Sequence, residues 1–368
     1  MANLQGSPTS ARHLAAGLQA LRRLTGALAL VVTAVLTVVT SAAALTPGPA
    51  AQDRSREGAA LSVIVEPSRL GSASGMQPVY SFVLSAKRSV DMTMYELSDT
   101  TMVADLVADH KRGVKVRVIL DTKREHSHNL AAYEALKAGG VNVVWAAGGY
   151  EATHQKTITV DQAKSLILTG NLTSEYYTTT RDFGIFDAEA PDVAAIEDVF
   201  DADFAHRPVT APGGTDLVWS PGSQAQILAV INGARHTLSV ENEEMGSSAV
   251  TAAIVAAAGR GVKVEVTMTA DSDYDGDLDE IVRAGGQVHL YADAYSDLYI
   301  HAKTTIADAG RATEKVYVGS INFSSASMDA NRELGIITTN VAVVAAIDAV
   351  VSADYSDCTA ATDCRSYT

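Results

Sequence analysis

The sequence repeats itself at an offset that barely drifts, which restricts it to folds built from two equivalent halves. His154-Gln155-Lys156-Thr157-Ile158-Thr159-Val160-Asp161 reads H-x-K-x4-D, and His301-Ala302-Lys303-Thr304-Thr305-Ile306-Ala307-Asp308 reads the same 147 residues later. Arg112-Gly113-Val114-Lys115-Val116 returns as Arg260-Gly261-Val262-Lys263-Val264 at an offset of 148, and Gly139-Gly140-Val141 returns as Gly285-Gly286-Gln287 at 146. Tyr95-Glu96-Leu97 stands opposite Glu243-Glu244-Met245, again at 148. Beyond the motifs, Gly170-Asn171 leads to Asp182 and Gly319-Ser320-Ile321-Asn322 leads to Glu333, with 11 residues from asparagine to acid in both halves. A period this long is a duplicated domain, because solenoid units run to a few dozen residues.

Hydropathy patterning fills in the halves. In the first, strands are expected at 61–65, 90–95, 114–120 and 141–145, and helices at 79–86, 101–111 and 130–138, where apolar periodicity changes from two to about 3.6. The second half repeats the order, with helices at 224–233, 249–258 and 278–284 and strands at 237–241, 262–267 and 287–291. Strands separated by helices of this length predict an α/β fold: two pseudo-symmetric halves, each a mixed, mostly parallel sheet flanked by helices. The halves are expected at 61–207 and 223–357. A Pro- and Gly-rich linker covers 208–222, a flexible lead-in 45–60 and a short tail 358–368.

The motif suits phosphodiester cleavage. One imidazole can attack phosphorus, the other can protonate the departing oxygen, and two ammonium groups can hold anionic oxygens. His154 and Lys156 lie two residues apart, as do His301 and Lys303, so on a strand each pair faces one side. Asp161 and Asp308 complete the signature and count with this catalytic set. Their opposite parity and turn-like surroundings nevertheless assign them to structural support. Asp182 and Glu333 are candidates to hold the histidine protons, which a carboxylate does by fixing the tautomer. Asn171, Ser320 and Asn322 can donate to phosphate oxygens, so these three and the two acids form the expected substrate-binding set. Glu96 and Glu244 follow matching strands and are candidates to line the cleft. His126, His128, His206 and His236 have no repeat partner.

With these residues in place, the chain resembles the phospholipase D superfamily. That family's signature is the paired H-x-K-x4-D motif followed by a G-[GS]-x-N segment, and the resemblance covers roughly Leu61 to Asp357. The first half departs from it: Gly170-Asn171 lacks two residues that Gly319-Ser320-Ile321-Asn322 has. The resemblance implies halves packed about a pseudo-twofold axis with both motifs in one cleft. It also implies a phosphohistidine intermediate and a nucleophile in the first motif, His154, a choice that the symmetry of the sequence leaves open. Members act on phospholipids, on nucleic acids and in phosphatidyl transfer. This chemistry calls for no cofactor and no metal.

The ends and the charge narrow the substrate. Residues 1–44 read as an export signal. Arg12, Arg22 and Arg23 precede or flank an uncharged apolar run, Ala42-Ala43-Ala44 offers a small-residue cleavage site, and Pro47-Gly48-Pro49 follows. An uncleaved anchor is the alternative, since the run is long enough to span a bilayer. Either way the expected location is outside the cytoplasm, where Cys358 and Cys364 are expected to pair. The whole chain carries a formal net charge of −15; without residues 1–44, which hold three arginines and no acid, 25 basic residues face 43 acidic ones, a net of −18. That balance argues against a nucleic-acid partner, which usually selects a basic footprint. Asp271-Ser272-Asp273-Tyr274-Asp275-Gly276 matches the start of a calcium loop. However, Val282 stands where the bidentate glutamate belongs, and acids before a helix also cap it. The expectation is an exported, monomeric phosphodiesterase that releases phospholipid headgroups at a membrane or vesicle surface. An endonuclease, a phosphatidyl transferase and an inactive binding protein on the same scaffold are the alternatives.

Overall fold

The computed structural model describes residues 61–66, 75–292, 298–360 and 364–367. The expected export signal and lead-in fall outside the described residues.

Each half builds a sheet in the same order. In the first, β1 (Leu61–Glu66), β2 (Ser89–Met94), β3 (Lys115–Leu120), β4 (Asn142–Trp145), β5 (Thr157–Val160), β6 (Lys164–Leu168) and β7 (Thr180–Asp187) are arranged β1-β7-β6-β5-β2-β3-β4. In the second, β8 (Leu217–Ser220), β9 (Thr237–Asn242), β10 (Lys263–Thr269), β11 (Gln287–Tyr291), β13 (Lys303–Ala307), β14 (Lys315–Gly319) and β15 (Glu333–Thr338) run β8-β15-β14-β13-β9-β10-β11. Two strands stand outside the repeat. β12 (Tyr299–Ile300) crosses to pair in parallel with β7 of the other half, and β16 (Cys364–Tyr367) closes the second sheet against β11.

The two-half α/β architecture stands, and the sheets are mixed. Apart from the β12–β7 pair, parallel pairing is found in β2-β3-β4 and β9-β10-β11, where helices make the crossovers. The rest of each sheet is antiparallel, and hairpins join β5 to β6 and β13 to β14. The helices are α1 (Gln77–Leu84), α2 (Thr100–Lys111), α3 (His126–Ala138), α4 (Ala190–Phe204), α5 (Gln224–Gly233), α6 (Ser248–Gly259), α7 (Asp275–Arg283), α8 (Ser325–Asp329) and α9 (Val341–Ala360). Local chemistry sets their ends. Asp99 caps α2 by accepting from the Thr101 and Met102 backbone N–H groups, and Gly113, at φ +95°, takes the left-handed turn after it. Among the described residues no helix is long and apolar enough to cross a membrane.

Two stretches do more than the sequence suggested. Leu217–Ser220, inside the expected linker, is a fully buried edge strand on β15. Cys364–Tyr367, inside the expected tail, is the strand β16. Cys358 is buried, but the side chain of Cys364 lies outside the described residues.

Three large apolar cores and one small one hold the described residues together. One fills each half between sheet and helices, around Met92, Val118 and Leu106 in the first and Val240, Val266 and Ile254 in the second. The third joins the halves: Ile167, Phe183 and Ile185 meet Val316, Val318, Leu334 and Ile336, covered by Val343, Val344 and Ile347 of α9. Full burial of such side chains stabilises by about 1.5–3 kcal/mol each. The inter-half core therefore locks the relative position of the two motifs.

Candidate active site

Both motif starts lie on the strand lead-ins rather than in the strands. His154, Gln155 and Lys156 precede β5, and His301 and Ala302 precede β13. These lead-ins are held by the opposite half. Arg332 N–H donates to Ala152 O at 2.9 Å, and Gln155 N–H donates to Arg332 O at 3.0 Å. Tyr299 N–H donates to Thr179 O at 2.8 Å, continuing the β12–β7 pairing. Each motif is thus stitched to the segment that carries the other half's acid.

The consequence is a crossed pair of His–carboxylate contacts. His154 Nδ1 lies 2.8 Å from Glu333 Oε2, and His301 Nδ1 lies 2.9 Å from Asp182 Oδ1. The sequence reading matched these acids to the histidines; that each serves the histidine of the other half is new. Each leaves Nε2 free of its carboxylate partner, the arrangement a nucleophile or a general acid needs. Gly170 makes room for this: a Cβ there would sit 2.5 Å from Asp182 Oδ2.

The lysines converge on the same centre. Lys156 and Lys303 are buried at 1 % and 0 % exposure. Lys156 Nζ donates to His154 O at 2.8 Å, and Lys303 Nζ donates to His301 O. Burial, followed by the charge of Lys303, pushes the Lys156 ammonium down to about 7. Burial also lowers His154; Lys156 and Lys303 add to that, and Glu333 opposes it without reversing it. In Glu333 burial favours the neutral form, yet His154, Lys156 and the Asn331 amide together hold the carboxyl below its ordinary value.

Three expected site residues sit elsewhere. Asp161 accepts the backbone N–H groups of Lys87, Arg88 and Ser89 at 2.6–3.0 Å, and Asp308 accepts those of Arg235, His236 and Thr237 at 2.6–3.1 Å plus the Thr313 hydroxyl. Both therefore clamp the start of a neighbouring strand, in keeping with the structural role read from their turn-like surroundings, and this geometry corrects their inclusion in the catalytic set. Ser320 is turned into the backbone, where its hydroxyl donates to Leu334 O at 3.3 Å and accepts from Leu334 N at 3.2 Å. It braces β14 against β15 instead of facing substrate. Asn171 and Asn322 stay at the cleft. Asn322 Nδ2 lies 3.1 Å from both Glu243 Oε2 and Glu244 Oε1, and Asn171 Nδ2 lies 3.5 Å from Glu96 Oε2.

Tyr95, Glu243 and Tyr299 were missed. The Tyr95 ring stands edge-on to His154, with centroids 4.5 Å apart, and lies 4.7 Å from Lys156 Nζ. Its repeat counterpart, Glu243, puts Oε2 2.9 Å from Lys303 Nζ and 3.5 Å from His301 Nε2, while Oε1 accepts from the Tyr299 hydroxyl at 2.7 Å. The repeat holds the signal for the first two: it aligns Tyr95 with Glu243, one residue before Glu96 and Glu244.

A cavity of about 260 Å³ opens beside His301. Glu96, Asn171, Tyr176, Asp182, Glu243 and Tyr299 are among its lining residues. Glu96 also belongs to a group of three that could hold a metal among the described residues, with Glu125 and His128, their ligand atoms within 4.8 Å of one another. The acids at 271–279 do something different. Asp271 accepts from Asp273 N–H at 2.9 Å, and Asp275 and Asp277 lie in the first turn of α7, where negative charge is favoured by the helix dipole.

Sequence comparison agrees with this geometry. The family described as cardiolipin synthase, PLD-like domain, matches residues 80–204 and 227–355, one block per half. The chain belongs to the phospholipase D-like family. No curated protein matches it in sequence. Among solved structures, polyphosphate kinase from Porphyromonas gingivalis superposes with a TM-score of 0.64 at 14 % identity, over 83 % of this chain and 48 % of that one. Phosphatidylserine synthase from Haemophilus influenzae superposes at 0.61 and 11 % identity, over 84 % and 88 %. The chain thus spans about half the length of the kinase, and at these identities the likeness is one of fold.

Proposed function

We propose that this phospholipase D-like protein is an exported phosphodiesterase that removes headgroups from phospholipids. The observation that carries this reading is the crossed contact of His154 with Glu333 and His301 with Asp182, which orients both imidazoles through Nδ1 and ties each to the other half; in the proposed reaction the two flank one phosphorus atom. His154, kept neutral by burial and two lysines, attacks phosphorus and forms the P–N bond as the headgroup P–O bond breaks. The departing oxygen takes its proton from His301. Water then attacks phosphorus, gives a proton back to His301 and releases phosphatidic acid from His154. Lys156 and Lys303 stabilise the negative charge on the equatorial oxygens.

The family contains both lipid and nucleic-acid enzymes, so the substrate argument rests on charge. Acidic residues outnumber basic ones 43 to 28 in the whole chain, and Glu96, Asp182 and Glu243 are among the residues lining the cavity beside His301. Both oppose a polyanion, whereas a phospholipid presents one phosphate. The export signal expected at 1–44 supports action on an extracytoplasmic lipid surface.

The test is a substrate panel on the purified protein: phosphatidylcholine vesicles, phosphatidylethanolamine vesicles and plasmid DNA. Headgroup release with intact plasmid is expected. Plasmid degradation that is lost in His154→Ala, with no headgroup released, would overturn the reading in favour of a nuclease.

A further inference from the structure

We propose that the cavity beside His301 is a leaving-group pocket selective for a primary ammonium alcohol, so that ethanolamine-type headgroups are the preferred substrate. This rests on the proposed phosphodiesterase reading, because His301 must be the residue that protonates the departing oxygen. In an in-line displacement by His154 the leaving alcohol lies on the far side of phosphorus, against His301, and the cavity lies on that side.

The lining selects the charge of that alcohol. Glu96, Asp182 and Glu243 line the cavity, and His301 is the one basic side chain among its lining residues. Asp182 is engaged by His301, and Glu243 by Lys303 and Tyr299. Glu96 is less well matched: its contacts are Asn171 Nδ2 at 3.5 Å and His128 Nδ1 at 4.0 Å, both at the limit of reach. A half-buried carboxylate so weakly partnered gains most from an arriving cation.

A second observation distinguishes between cations. Asn171 lines the same cavity, and its Oδ1 is buried without a hydrogen-bond partner among the described residues. Its amide nitrogen is directed to Glu96, so the orphan atom is the acceptor. A primary ammonium carries three N–H donors, enough for Glu96, Glu243 and the Asn171 carbonyl. A quaternary ammonium carries none and leaves Asn171 Oδ1 unsatisfied, although Tyr176 and Tyr299 could still hold it by cation–π contact. A glycerol headgroup brings no charge, and a serine headgroup brings a carboxylate into an acidic pocket. The expected order is ethanolamine, then choline, then glycerol, then serine.

The test uses short-chain, monomeric phospholipids differing only in headgroup, so that the charge of a lipid surface plays no part, with chelator present throughout. Wild type is expected to show kcat/KM at least about tenfold higher for the ethanolamine than for the glycerol lipid. Glu96→Gln should reduce that ratio about tenfold, the scale of one hydrogen bond to a charged group. Asn171→Leu should reduce the ethanolamine-to-choline ratio. An independent arm measures inhibition of bis(p-nitrophenyl) phosphate hydrolysis by free ethanolamine, tetramethylammonium and glycerol. Ethanolamine should inhibit most strongly, and less so in Glu96→Gln. Equal rates on all headgroups with no change of ratio in Glu96→Gln would overturn the pocket assignment and leave the phosphodiesterase reading intact. If no phospholipid is cleaved but ethanolamine inhibits through Glu96, the pocket stands and the phospholipid reading falls. A headgroup preference that appears only on adding a divalent metal, and requires His128, would hand the site to the metal and overturn the proposal.

Discussion

The two halves share a frame and differ at its centre. In both, an aspartate clamps three backbone N–H groups and a lysine donates to the carbonyl of its own histidine. In both, the histidine leans on the other half's acid. What differs is the residue just beyond β2 and β9. Tyr95 offers Lys156 and His154 a ring face and edge; Glu243 offers Lys303 and His301 a carboxylate. Duplication copied the supports, and one side chain per half separates the two sites electrically. Sequence symmetry leaves nucleophile and acid unassigned, and this difference supports the proposed choice of His154 as nucleophile and His301 as acid. A neutral imidazole beside a ring suits attack, and a proton on Nε2 is best kept beside a carboxylate.

The strongest way to break the comparison is to remove one histidine at a time. His154→Ala and His301→Ala should each lower turnover of a phospholipid by at least about 10²–10⁴-fold, and the double variant should be little worse than either. The halves should then separate on a substrate with a good leaving group, such as a nitrophenyl phosphodiester, which needs no acid to depart. There His301→Ala should accumulate phosphohistidine at His154, detectable by mass spectrometry of rapidly quenched protein, and His154→Ala should accumulate none. Covalent phosphate on His301 in the wild type would reverse the assignment.

The frame was legible before the structure, and the centre much less so. The repeat, the motif histidines and lysines, and the pairing of Asp182 and Glu333 with imidazoles could all be read from spacing, because a duplicated fold preserves spacing. The crossing of acids between halves could not, since it depends on Arg332 and Tyr299 stitching each motif to the other half. Ser320 was misjudged for a similar reason. A small polar residue after a strand donates equally well to phosphate or to the next strand, and only the pairing of β14 with β15 decides. Leu217–Ser220 read as linker because Pro and Gly surround it. Its burial comes from pairing with β15 and from packing of Leu217, Val218 and Trp219 into the apolar cores.

A smaller effect, on pH dependence, would sharpen the contrast between Tyr95 and Glu243. Lys156 carries its charge below about 7 and loses it above, so kcat/KM should fall as pH rises through that value. His154 attacks as the neutral imidazole and is held below its ordinary value by burial. The rising limb should therefore lie on the acid side of about 6.5. The two groups interact, so the limbs report the pair. Tyr95→Glu would give the first half the carboxylate of the second. It should favour the protonated form of both groups and move both limbs up by about one pH unit or more. Unmoved limbs would show that the ring plays no electrical part.

The smallest expected effect tests what the halves share. Asp161 and Asp308 sit at φ 56° and 55°, a left-handed conformation that asparagine also tolerates, so Asp→Asn removes the charge with little backbone penalty. Each substitution weakens the clamp on three strand-start N–H groups, and about 1–3 kcal/mol of stability should be lost, with activity at 25 °C largely retained. Asp308 is fully buried and also binds Thr313, whereas Asp161 is partly exposed, so Asp308→Asn should cost more. For both aspartates burial favours the neutral form. The N–H groups, led at Asp308 by the Thr313 hydroxyl, outweigh it and lower the folded pKa. A depressed carboxylate contributes stability that is present above its unfolded value near 4 and is lost as pH falls through the folded value. The gap in Tm between wild type and each variant should therefore be widest near neutrality and close as pH drops below about 4. A gap that stayed constant down to acid pH would mean that the clamp works through shape alone. Loss of most turnover in either variant, with the fold intact, would return these aspartates to the reacting set.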